Sequence, residues 1–445
     1  MKDIDIMDLK TTIKEIISVF HASQNVKCTT RNLKLPTDLK KVIAVLGVRR
    51  SGKTYLLFDT INRLVKEGIP KKHILYINFE DERLLLKQNE LDLVLQAYRE
   101  LYPKVKDGNI WFFFDEIQNI DGWEKFVRRI HDSISKNVFI TGSNSVFLSS
   151  DIATALRGRS VNFEVYPFSF DEYLRHLKVD KNIYHPNTKA TIINKYYDFL
   201  SFGGFPETVG IHTRLRNEIL RNYFYVMLYK DLIERYKITS TSSLKRYIEK
   251  IAGNITKPFS VNKIYNDFRS QGLKVDKSML YEITTYVENI YLAFGVAKFD
   301  YSANKRNASL NKMYFIDNGL LNALTIGFSA NYGKLLENAV FLFLRQNIGD
   351  IYEKNIFYHK LKQECDFLIC ENNKVVSVLQ VSHQMQEKAT YIRERNGLVD
   401  AMKTYGLSKG YIITSEQEET DYYEGLIIEI LPAYRIFMNP GFTFR

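Results

Sequence analysis

Residues 47–54 read Gly-Val-Arg-Arg-Ser-Gly-Lys-Thr and fit the pattern GxxxxGK[ST] at every fixed position. They follow an apolar run at 42–46 and precede a helix-like segment at 55–66. A strand, a glycine loop and a helix in this order let backbone N–H groups and a helix N-terminus bind phosphate oxygens. We therefore expect Lys53 to reach the β- and γ-phosphates of ATP and the Thr54 hydroxyl to bind Mg²⁺. The residues expected to contact the nucleotide are Gly47, Arg49, Arg50, Ser51, Gly52, Lys53, Thr54 and Tyr55.

Two carboxylates, Asp115 and Glu116, follow a second apolar run at 109–114. An uninterrupted apolar run is typical of a strand buried on both faces of a parallel sheet, and ligands bind at the carboxyl ends of such strands. We expect Asp115 to hold Mg²⁺, directly or through water, and Glu116 to polarise the attacking water as a general base. Together with the glycine loop, the pair predicts hydrolysis of ATP rather than binding alone.

A further predicted strand at 137–140 ends in a polar sequence that includes Ser143 and Asn144. Next to the carboxylate strand, either side chain could hydrogen-bond the γ-phosphate or the attacking water, and the sequence does not choose between them. A simple polar turn after the strand is the alternative.

Arg157 and Arg159 precede the last predicted core strand, at 161–165. An arginine at this rim is poorly placed for the phosphates of its own subunit. It is well placed to enter a neighbouring site as an arginine finger, which would make hydrolysis depend on oligomerisation. The alternative is a surface arginine or an internal ion pair.

The order of these motifs resembles a widespread prokaryotic family of AAA-type P-loop ATPases, and the resemblance runs from about residue 40 to the C-terminus. Members carry a C-terminal domain of unknown function with a restriction-endonuclease-like fold, and the family analogy implies a homo-oligomer, most simply a hexameric ring. The motifs that carry the resemblance are the Arg-Arg in the loop at 47–54, Asp115-Glu116-Ile117, Thr141-Gly142-Ser143, Gly158-Arg159, and the segments 167–173, 202–207, 314–320 and 333–338.

Length and composition agree with an intracellular multidomain protein. The chain has 445 residues, 45% hydrophobic and 25% charged, which is an ordinary globular composition. Its sequence has no uncharged apolar run of membrane-spanning length and no apolar signal-peptide core near Met1. Its three cysteines, Cys28, Cys365 and Cys370, cannot form a disulfide framework and lack zinc spacing. We expect a cytoplasmic protein that does not contact a membrane.

The fold class expected is α/β, with a three-layer P-loop domain on a parallel sheet, a helical lid, a winged helix and a nuclease-like α/β domain. Alternation of strands and helices over 40–166 supports the first of these. The expected domains are an N-terminal helical segment at 1–39, the ATPase core at 40–168, the lid at 169–240, the winged helix-turn-helix at 241–325 and the nuclease-like domain at 326–445.

The middle region is basic and predicts a DNA-binding module. Residues 211–320 hold 18 Lys and Arg against 10 Asp and Glu, a surplus of +8 within a net charge of +11. Three predicted helices at 243–252, 261–271 and 277–289, followed by two strands around the loop 302–307, match a winged helix. A protein-docking winged helix and a merely solvated basic face are the alternatives. The residues expected to meet DNA are Lys277, Ser278, Tyr281 and Thr285 on the third helix, and Lys305 and Arg306 at the wing tip.

The C-terminal domain departs from the nuclease pattern that the resemblance implies, an Asp followed by Glu-x-Lys on the next strand. Asp366 matches the first acid, and Glu337 lies on the preceding helix, but Gln380 and Ser382 stand where the Glu and Lys are expected. A neutral amide is a weak Mg²⁺ ligand, and a serine carries no positive charge to position water. We expect no nuclease activity and a structural, oligomerising or DNA-backbone-binding role. A displaced lysine such as Lys362 could restore the site.

Three hypotheses follow for the whole chain. The first is an oligomeric ATPase that binds DNA, which could be branched, and couples hydrolysis to DNA movement or remodelling. The second is an ATP-dependent conformational switch that engages a protein partner through the winged helix. The third is an ATP-gated nuclease.

Overall fold

The computed structural model describes residues 6–143, 156–325, 331–347 and 354–444. The chain divides into two compact units, Met1–Val165 and Tyr166–Arg445. This boundary lies three residues before the predicted end of the ATPase core at 168. Within the described ranges, no helix is both long and apolar enough to cross a membrane.

The first unit is built on a five-stranded parallel sheet with strand order β2-β3-β4-β1-β5. Strand β1 coincides with the first apolar run, and β3 overlaps the second, as predicted. Because β4 pairs with both β1 and β3, the carboxyl ends of these three strands are neighbours. The elements are α1 (Ile6–Ala22), β1 (Val42–Leu46), α2 (Lys53–Lys66), β2 (Ile74–Asn78), α3 (Asp92–Leu101), β3 (Trp111–Asp115), α4 (Trp123–Ser133), β4 (Val138–Gly142) and β5 (Ser160–Glu164).

Both faces of this sheet are covered, which explains the uninterrupted apolar strands. Phe113 packs with Leu57 and Ile61 of α2 on one face. Phe112 and Phe114 pack with the other helices on the opposite face, because successive strand side chains alternate. The prediction of a three-layer α/β core is confirmed.

The N-terminal segment is only partly helical, so the prediction of a helical segment at 1–39 is wrong in its second half. Helix α1 ends at Ala22, and residues 24–39 contain no helix. Part of this stretch lies along α2, where Asn62 Nδ2 donates to Val26 O at 2.8 Å. It therefore lies against α2 rather than forming a separate helical element.

The second unit begins with helices, as the lid prediction required, and Gly203 and Gly204 follow the end of one of them. A π-helical stretch, Met227–Glu234, continues the last helix. The elements are α5 (Phe170–His176), α6 (Pro186–Phe202) and α7 (Thr213–Val226).

The middle region contains the three helices and the hairpin that a winged helix needs, in the order helix, strand, helix, helix, strand, strand. Its antiparallel sheet has three strands in the order β6-β8-β7. The loop predicted as a wing tip instead holds a short helix, α11. The elements are α8 (Thr241–Gly253), β6 (Pro258–Phe259), α9 (Val261–Ser270), α10 (Lys277–Asn289), β7 (Ala293–Val296), α11 (Ala303–Ala308), β8 (Asn311–Phe315) and α12 (Asn318–Leu324).

The C-terminal region carries a six-stranded mixed sheet with strand order β13-β14-β12-β11-β10-β9. Strands β10 and β11 are antiparallel neighbours, so Asp366 and Gln380 face each other across one strand pair. The elements are α13 (Tyr332–Asn347), β9 (Lys354–Lys360), β10 (Glu364–Glu371), β11 (Lys374–Val381), α14 (Lys388–Tyr405), β12 (Lys409–Thr414), β13 (Glu419–Tyr423), β14 (Leu426–Pro432) and α15 (Ala433–Phe437).

The sequence motifs at 202–207, 314–320 and 333–338 meet in one buried hydrogen-bond network. Asp317 accepts from the N–H of Gly204 at 2.7 Å and of Leu320 at 2.9 Å. Asn338 accepts from the N–H of Phe315 at 2.7 Å and donates back to its carbonyl at 3.0 Å. Buried polar groups with satisfied partners fix one arrangement of the segments that carry them. These motifs therefore join the helical region, the middle region and the C-terminal region.

Candidate active site

The glycine loop 47–52 connects β1 to α2 in a conformation that needs its glycines. Gly47 has φ 149°, and a Cβ there would lie 2.1 Å from Val165 O. Gly52 has φ 98° and stands just before the first residue of α2. These two positions let the backbone turn tightly at the N-terminus of a helix, which is the arrangement that binds phosphate.

Lys53 lies between this loop and the end of β3. Its side chain is 4% exposed, and its Nζ donates to Gly47 O at 3.2 Å and to Val48 O at 3.3 Å. The same ammonium is 3.3 Å from Glu116 Oε1. The structure thus brings together the two residues that the sequence assigned to phosphate binding and to general-base catalysis.

Asp115 is buried at the end of β3 and is held by hydroxyl groups. Its Oδ1 accepts from Thr141 Oγ1 at 2.6 Å and its Oδ2 from the Tyr76 hydroxyl at 3.1 Å. Thr54 also hydrogen-bonds it, so the two predicted Mg²⁺ ligands touch. Burial raises the pKa of Asp115, and the hydroxyl donors oppose that rise. A cation in this position would favour the carboxylate form.

Glu116 stands in the left-handed region, with φ 50°, at the turn after β3. Its N–H donates to Thr141 Oγ1 at 2.8 Å, while Lys53 and Gln118 contact its carboxylate. Burial alone would raise its pKa, but the Lys53 ammonium, Gln118 and the Arg49 charge lower it. Glu116 is therefore ionised at neutral pH, as a general base must be.

Two buried serine hydroxyls in this site have no hydrogen-bond partner among the described residues. Ser51 Oγ belongs to the glycine loop, and Ser143 Oγ follows β4, between the loop and the carboxylates. Buried polar atoms are normally paired, so unpaired ones next to a phosphate-binding loop fit a missing polar ligand. This observation favours Ser143 as the polar side chain after β4. Asn144, the other candidate, lies outside the described residues.

The arginines of the loop do not share one role. Arg49 donates from Nη1 to Glu80 Oε1 at 2.8 Å, so it contacts a rim carboxylate. Arg50 is exposed and has φ 65°. Tyr55 is 55% exposed on the first turn of α2. Sequence reasoning missed Arg31, which is buried and donates to Ser51 O at 3.0 Å; no motif marks it.

Thr141 and Tyr76 are also functional residues that sequence reasoning did not select. Thr141 is part of the Thr-Gly-Ser motif, but its hydroxyl could have been placed only with the pairing of β3 and β4. Tyr76 points from β2 to Asp115 because these two strands are neighbours. Both roles arise from strand order, which no local pattern encodes.

The two rim arginines differ. Arg159 donates from Nε to Asp132 Oδ1 of its own chain at 2.7 Å, as the internal-ion-pair alternative required. Arg157 is exposed and has φ 50°, directly before Gly158. Of the two, Arg157 is therefore the one directed to solvent.

The residues predicted to meet DNA fall into two groups. Lys277, Ser278, Tyr281 and Thr285 lie on the exposed face of α10, opposite its buried apolar residues. Arg306 is not at a free wing tip, because its Nη1 donates to Asp300 O at 3.0 Å and to Asn373 Oδ1 at 3.2 Å. The placement of Arg306 on phosphates is the part of this prediction that the structure does not support. The neighbouring Lys305 is exposed on α11.

The residues predicted for the degenerate nuclease site do come together in the second unit. Asp366 accepts at Oδ2 from Val381 N at 3.0 Å, and its own N–H donates to Gln380 Oε1 at 3.2 Å. The lysine beside them is Lys312 of β8, not Lys362 as considered from the sequence. Its Nζ is 3.0 Å from Asp366 and 3.5 Å from Glu337. Ser382 uses its hydroxyl to donate to Gln384 O at 3.0 Å.

Comparison with known proteins agrees with the geometry of the first unit. A profile of the family described as "AAA domain" matches residues 39–174. The uncharacterised protein MJ1544 of Methanocaldococcus jannaschii is 36% identical over 386 residues, which covers 86% of this chain and 83% of that protein. The chain belongs to the family of MJ1544. An uncharacterised protein of Haemophilus influenzae is 30% identical over 396 residues, 88% of this chain and 92% of its own length.

This family is one of AAA-type P-loop ATPases, since the AAA domain, the parallel sheet and the phosphate loop coincide. A second profile, described only as a domain of unknown function, matches residues 193–332, which include most of the helical and middle regions. Among solved structures, the Orc1 protein of Aeropyrum pernix in complex with DNA has a TM-score of 0.30 at 11% identity and covers 73% of this chain and 93% of its own. Cdc6p of Pyrobaculum aerophilum has a TM-score of 0.26 at 14% identity, and the match covers 72% of this chain and 97% of that chain. Scores of this size carry no argument about function.

Proposed function

We propose that this member of the MJ1544 family hydrolyses ATP at the edge where β1, β3 and β4 end. The observation that carries the proposal is the contact between Lys53 and Glu116, which joins the phosphate loop to the catalytic carboxylate in one buried site. Thr141 supports it by bonding both Asp115 and the backbone of Glu116.

The residues present fit ATP and Mg²⁺. Thr54 and Asp115 would hold the ion, which would neutralise charge on the phosphate oxygens. Lys53 would exchange its Glu116 contact for the γ-phosphate, because a phosphate carries the larger negative charge. Glu116 would then be free to accept a proton from the attacking water, and Ser143 would donate to the phosphate or orient the water.

Replacement of Glu116 by Gln tests this assignment. Turnover should fall at least about 100-fold, because the amide cannot accept the proton, while ATP binding is retained. Glu82→Gln, an exposed carboxylate near the same edge, serves as the matched control and should turn over normally. Normal turnover of the Glu116 variant would refute the site.

We also propose that the active form is a homo-oligomer, most simply a hexamer, in which Arg157 enters the neighbouring site. Its exposed position supports this role better than the internally paired Arg159 does. Particle size measured with a slowly hydrolysed ATP analogue should show a ring. Turnover per subunit should fall in Arg157→Ala and rise with protein concentration in the wild type. A fully active monomer would contradict this role.

The basic middle region is proposed to bind DNA, with hydrolysis moving or remodelling it. The exposed face of α10, with Lys277, Ser278 and Tyr281, and the exposed Lys305 support this proposal. DNA affinity should fall steeply with salt and weaken in Lys277→Ala, whereas an Arg306 variant should lose stability instead. Absence of binding at low salt would favour the ATP-dependent switch that docks a protein.

The C-terminal region is proposed to be inactive as a nuclease, with a restriction-endonuclease-like sheet kept for structure. Gln380 and Ser382 supply neither a carboxylate nor a cation. Plasmid cleavage with Mg²⁺ or Mn²⁺ that Asp366→Ala abolishes would revive the ATP-gated nuclease.

A further inference from the structure

A lysine ammonium lies at the centre of the acidic cluster in the second unit. The Lys312 side chain is 1% exposed, although lysine is one of the residues most rarely buried. Its Nζ lies 2.8 Å from Glu364 Oε1, 3.0 Å from Asp366 Oδ1 and 3.5 Å from Glu337 Oε1. Because Lys312 is on β8, Glu337 on α13 and the other two acids on β10, one cation joins three separate elements.

Asp366 and Glu337 of this cluster bond to other protein groups. Asp366 uses Oδ1 for Lys312 and Oδ2 for the N–H of Val381. Glu337 Oε1 accepts from the Tyr314 hydroxyl at 2.8 Å. Across the described ranges, no group of three or more His, Cys, Asp or Glu side chains is arranged to hold a metal ion. The Lys312 ammonium contacts an oxygen of each of the three acids.

Gln380, which stands where the nuclease pattern has its second acid, also bonds to protein groups. Gln380 Oε1 accepts from the N–H of Asp366 at 3.2 Å, and Nε2 donates to Glu394 Oε2 at 2.5 Å. Both ends of the amide therefore have partners inside the protein. This residue connects β10, β11 and α14.

The charges in the cluster fit an internal cation. Burial would lower the pKa of Lys312, but Glu337 and Asp366 raise it well above its usual value, so the ammonium stays charged. Burial and then the Asp366 charge raise the pKa of Glu337 to about 8. Burial would raise the pKa of Glu364, but the charges and hydrogen bonds of Lys312 and Lys360 together lower it, so Glu364 remains ionised. Near neutral pH, the ammonium faces the ionised Glu364 and the protonated Glu337.

We propose that the Lys312 ammonium takes the place that a divalent cation has in a metal-dependent nuclease site. The cluster then binds no metal, and its ion pairs link β8 of the middle region to the C-terminal sheet. This goes beyond the proposed loss of nuclease activity, because it assigns a cation to the site and a structural task to the remaining acids.

The test compares the full chain with Lys312→Ala by thermal unfolding and by Mn²⁺ binding measured with electron paramagnetic resonance. Loss of one partner of a buried ion pair should lower the melting temperature by about 10 °C. The variant should gain Mn²⁺ binding and recover several degrees with the ion, and Lys312→Ala/Asp366→Asn should gain neither. Lys360→Ala is the matched control, because Lys360 is 52% exposed and pairs with the same Glu364 at 3.0 Å. It should behave as wild type.

Two results would overturn the proposal. One is Mn²⁺ binding by the wild type that Asp366→Asn removes, and the other is a folded Lys312→Ala that binds no more Mn²⁺ than the wild type. If Lys312→Ala does not fold, the test compares the melting of the triple variant Lys312→Met/Glu364→Gln/Asp366→Asn with that of Lys312→Met. Removing the charges together should give a folded protein that melts well above Lys312→Met, since a buried ion pair can be replaced as a unit. A triple variant as unstable as Lys312→Met would refute the internal cation.

Discussion

Two buried lysines of this chain face carboxylates, and their surroundings differ. Lys53 contacts Glu116 beside two buried serine hydroxyls that have no partner among the described residues, Ser51 and Ser143. Lys312 contacts three acids, and Asp366 among them has protein partners on both oxygens. The first arrangement has hydrogen-bonding capacity left for a ligand, whereas the second uses it inside the protein.

The comparison distinguishes a site whose polar groups are available to a ligand from one in which the Lys312 ammonium takes the place of a bound cation. Both contain a lysine and acids, which are the residue types of phosphate chemistry. A backbone loop with left-handed glycines accompanies only the first, and such a loop gives phosphate oxygens a place to bind. Composition alone would not have distinguished the two.

Replacing each lysine by methionine gives the largest expected effects and tests whether the two lysines have different roles. In Lys53→Met, turnover should fall at least about 100-fold because a phosphate-binding charge is lost. Its stability should also fall, because Glu116 loses its buried partner, but by less than in Lys312→Met, where three acids lose theirs. In Lys312→Met, the free energy of unfolding should drop by about 3–5 kcal/mol. ATPase assays and denaturant unfolding of both variants measure this, and equal patterns in the two would refute the distinction.

Thr141→Val should have a smaller effect confined to the first site. The variant keeps the shape but removes the hydroxyl that bonds Asp115 and the N–H of Glu116. We expect turnover to fall about 10-fold, equivalent to about 1.4 kcal/mol. Thr60→Val is the matched control, because the buried Thr60 hydroxyl bonds only within α2, to Leu56 O. A loss of the same size in Thr60→Val would show that the effect is structural.

Much of the first unit was predictable because its signals are local. The apolar runs fixed β1 and β3, and the glycine pattern placed Lys53 and Thr54 at the start of α2. The identity of Thr141 and Tyr76 as partners of Asp115 depended on strand order, which arises from packing of the whole sheet. Arg31 was hidden for the same reason, since it reaches Ser51 from a non-helical segment 20 positions earlier.

The second unit was predicted in its elements and less well in its contacts. The nuclease-like acids were assigned through the resemblance, but Lys312 lies 54 positions from Asp366, in a different region of the chain. Likewise, the motifs around Asp317 and Asn338 were recognised from the resemblance, and only the structure shows that they bond to one another. Arg306 was misplaced because α11 fills the loop that was read as a wing tip.

The pH dependence of stability should have opposite signs at the two sites. Glu116 has a lowered pKa, so its stabilising contribution is present above the unfolded value near 4 and is lost as pH falls. Glu337 has a pKa raised to about 8, so the folded state keeps a proton that the unfolded chain has released, and its contribution falls as pH rises from about 4 to 8.

Glu337→Gln sharpens this last contrast, because the amide keeps an acceptor for Tyr314 and cannot ionise. Between pH 5 and pH 8, the variant should gain stability relative to wild type by about 3–4 kcal/mol, because each pH unit in this range is equivalent to about 1.4 kcal/mol. Glu116→Gln should instead run parallel to wild type between pH 5 and pH 8, and the difference should shrink only below about pH 4, where wild type becomes protonated. Thermal unfolding from pH 3 to pH 8 measures both. A Glu337→Gln profile parallel to wild type would show that Glu337 is already ionised, and its negative charge would then lie beside the Lys312 ammonium together with that of Glu364.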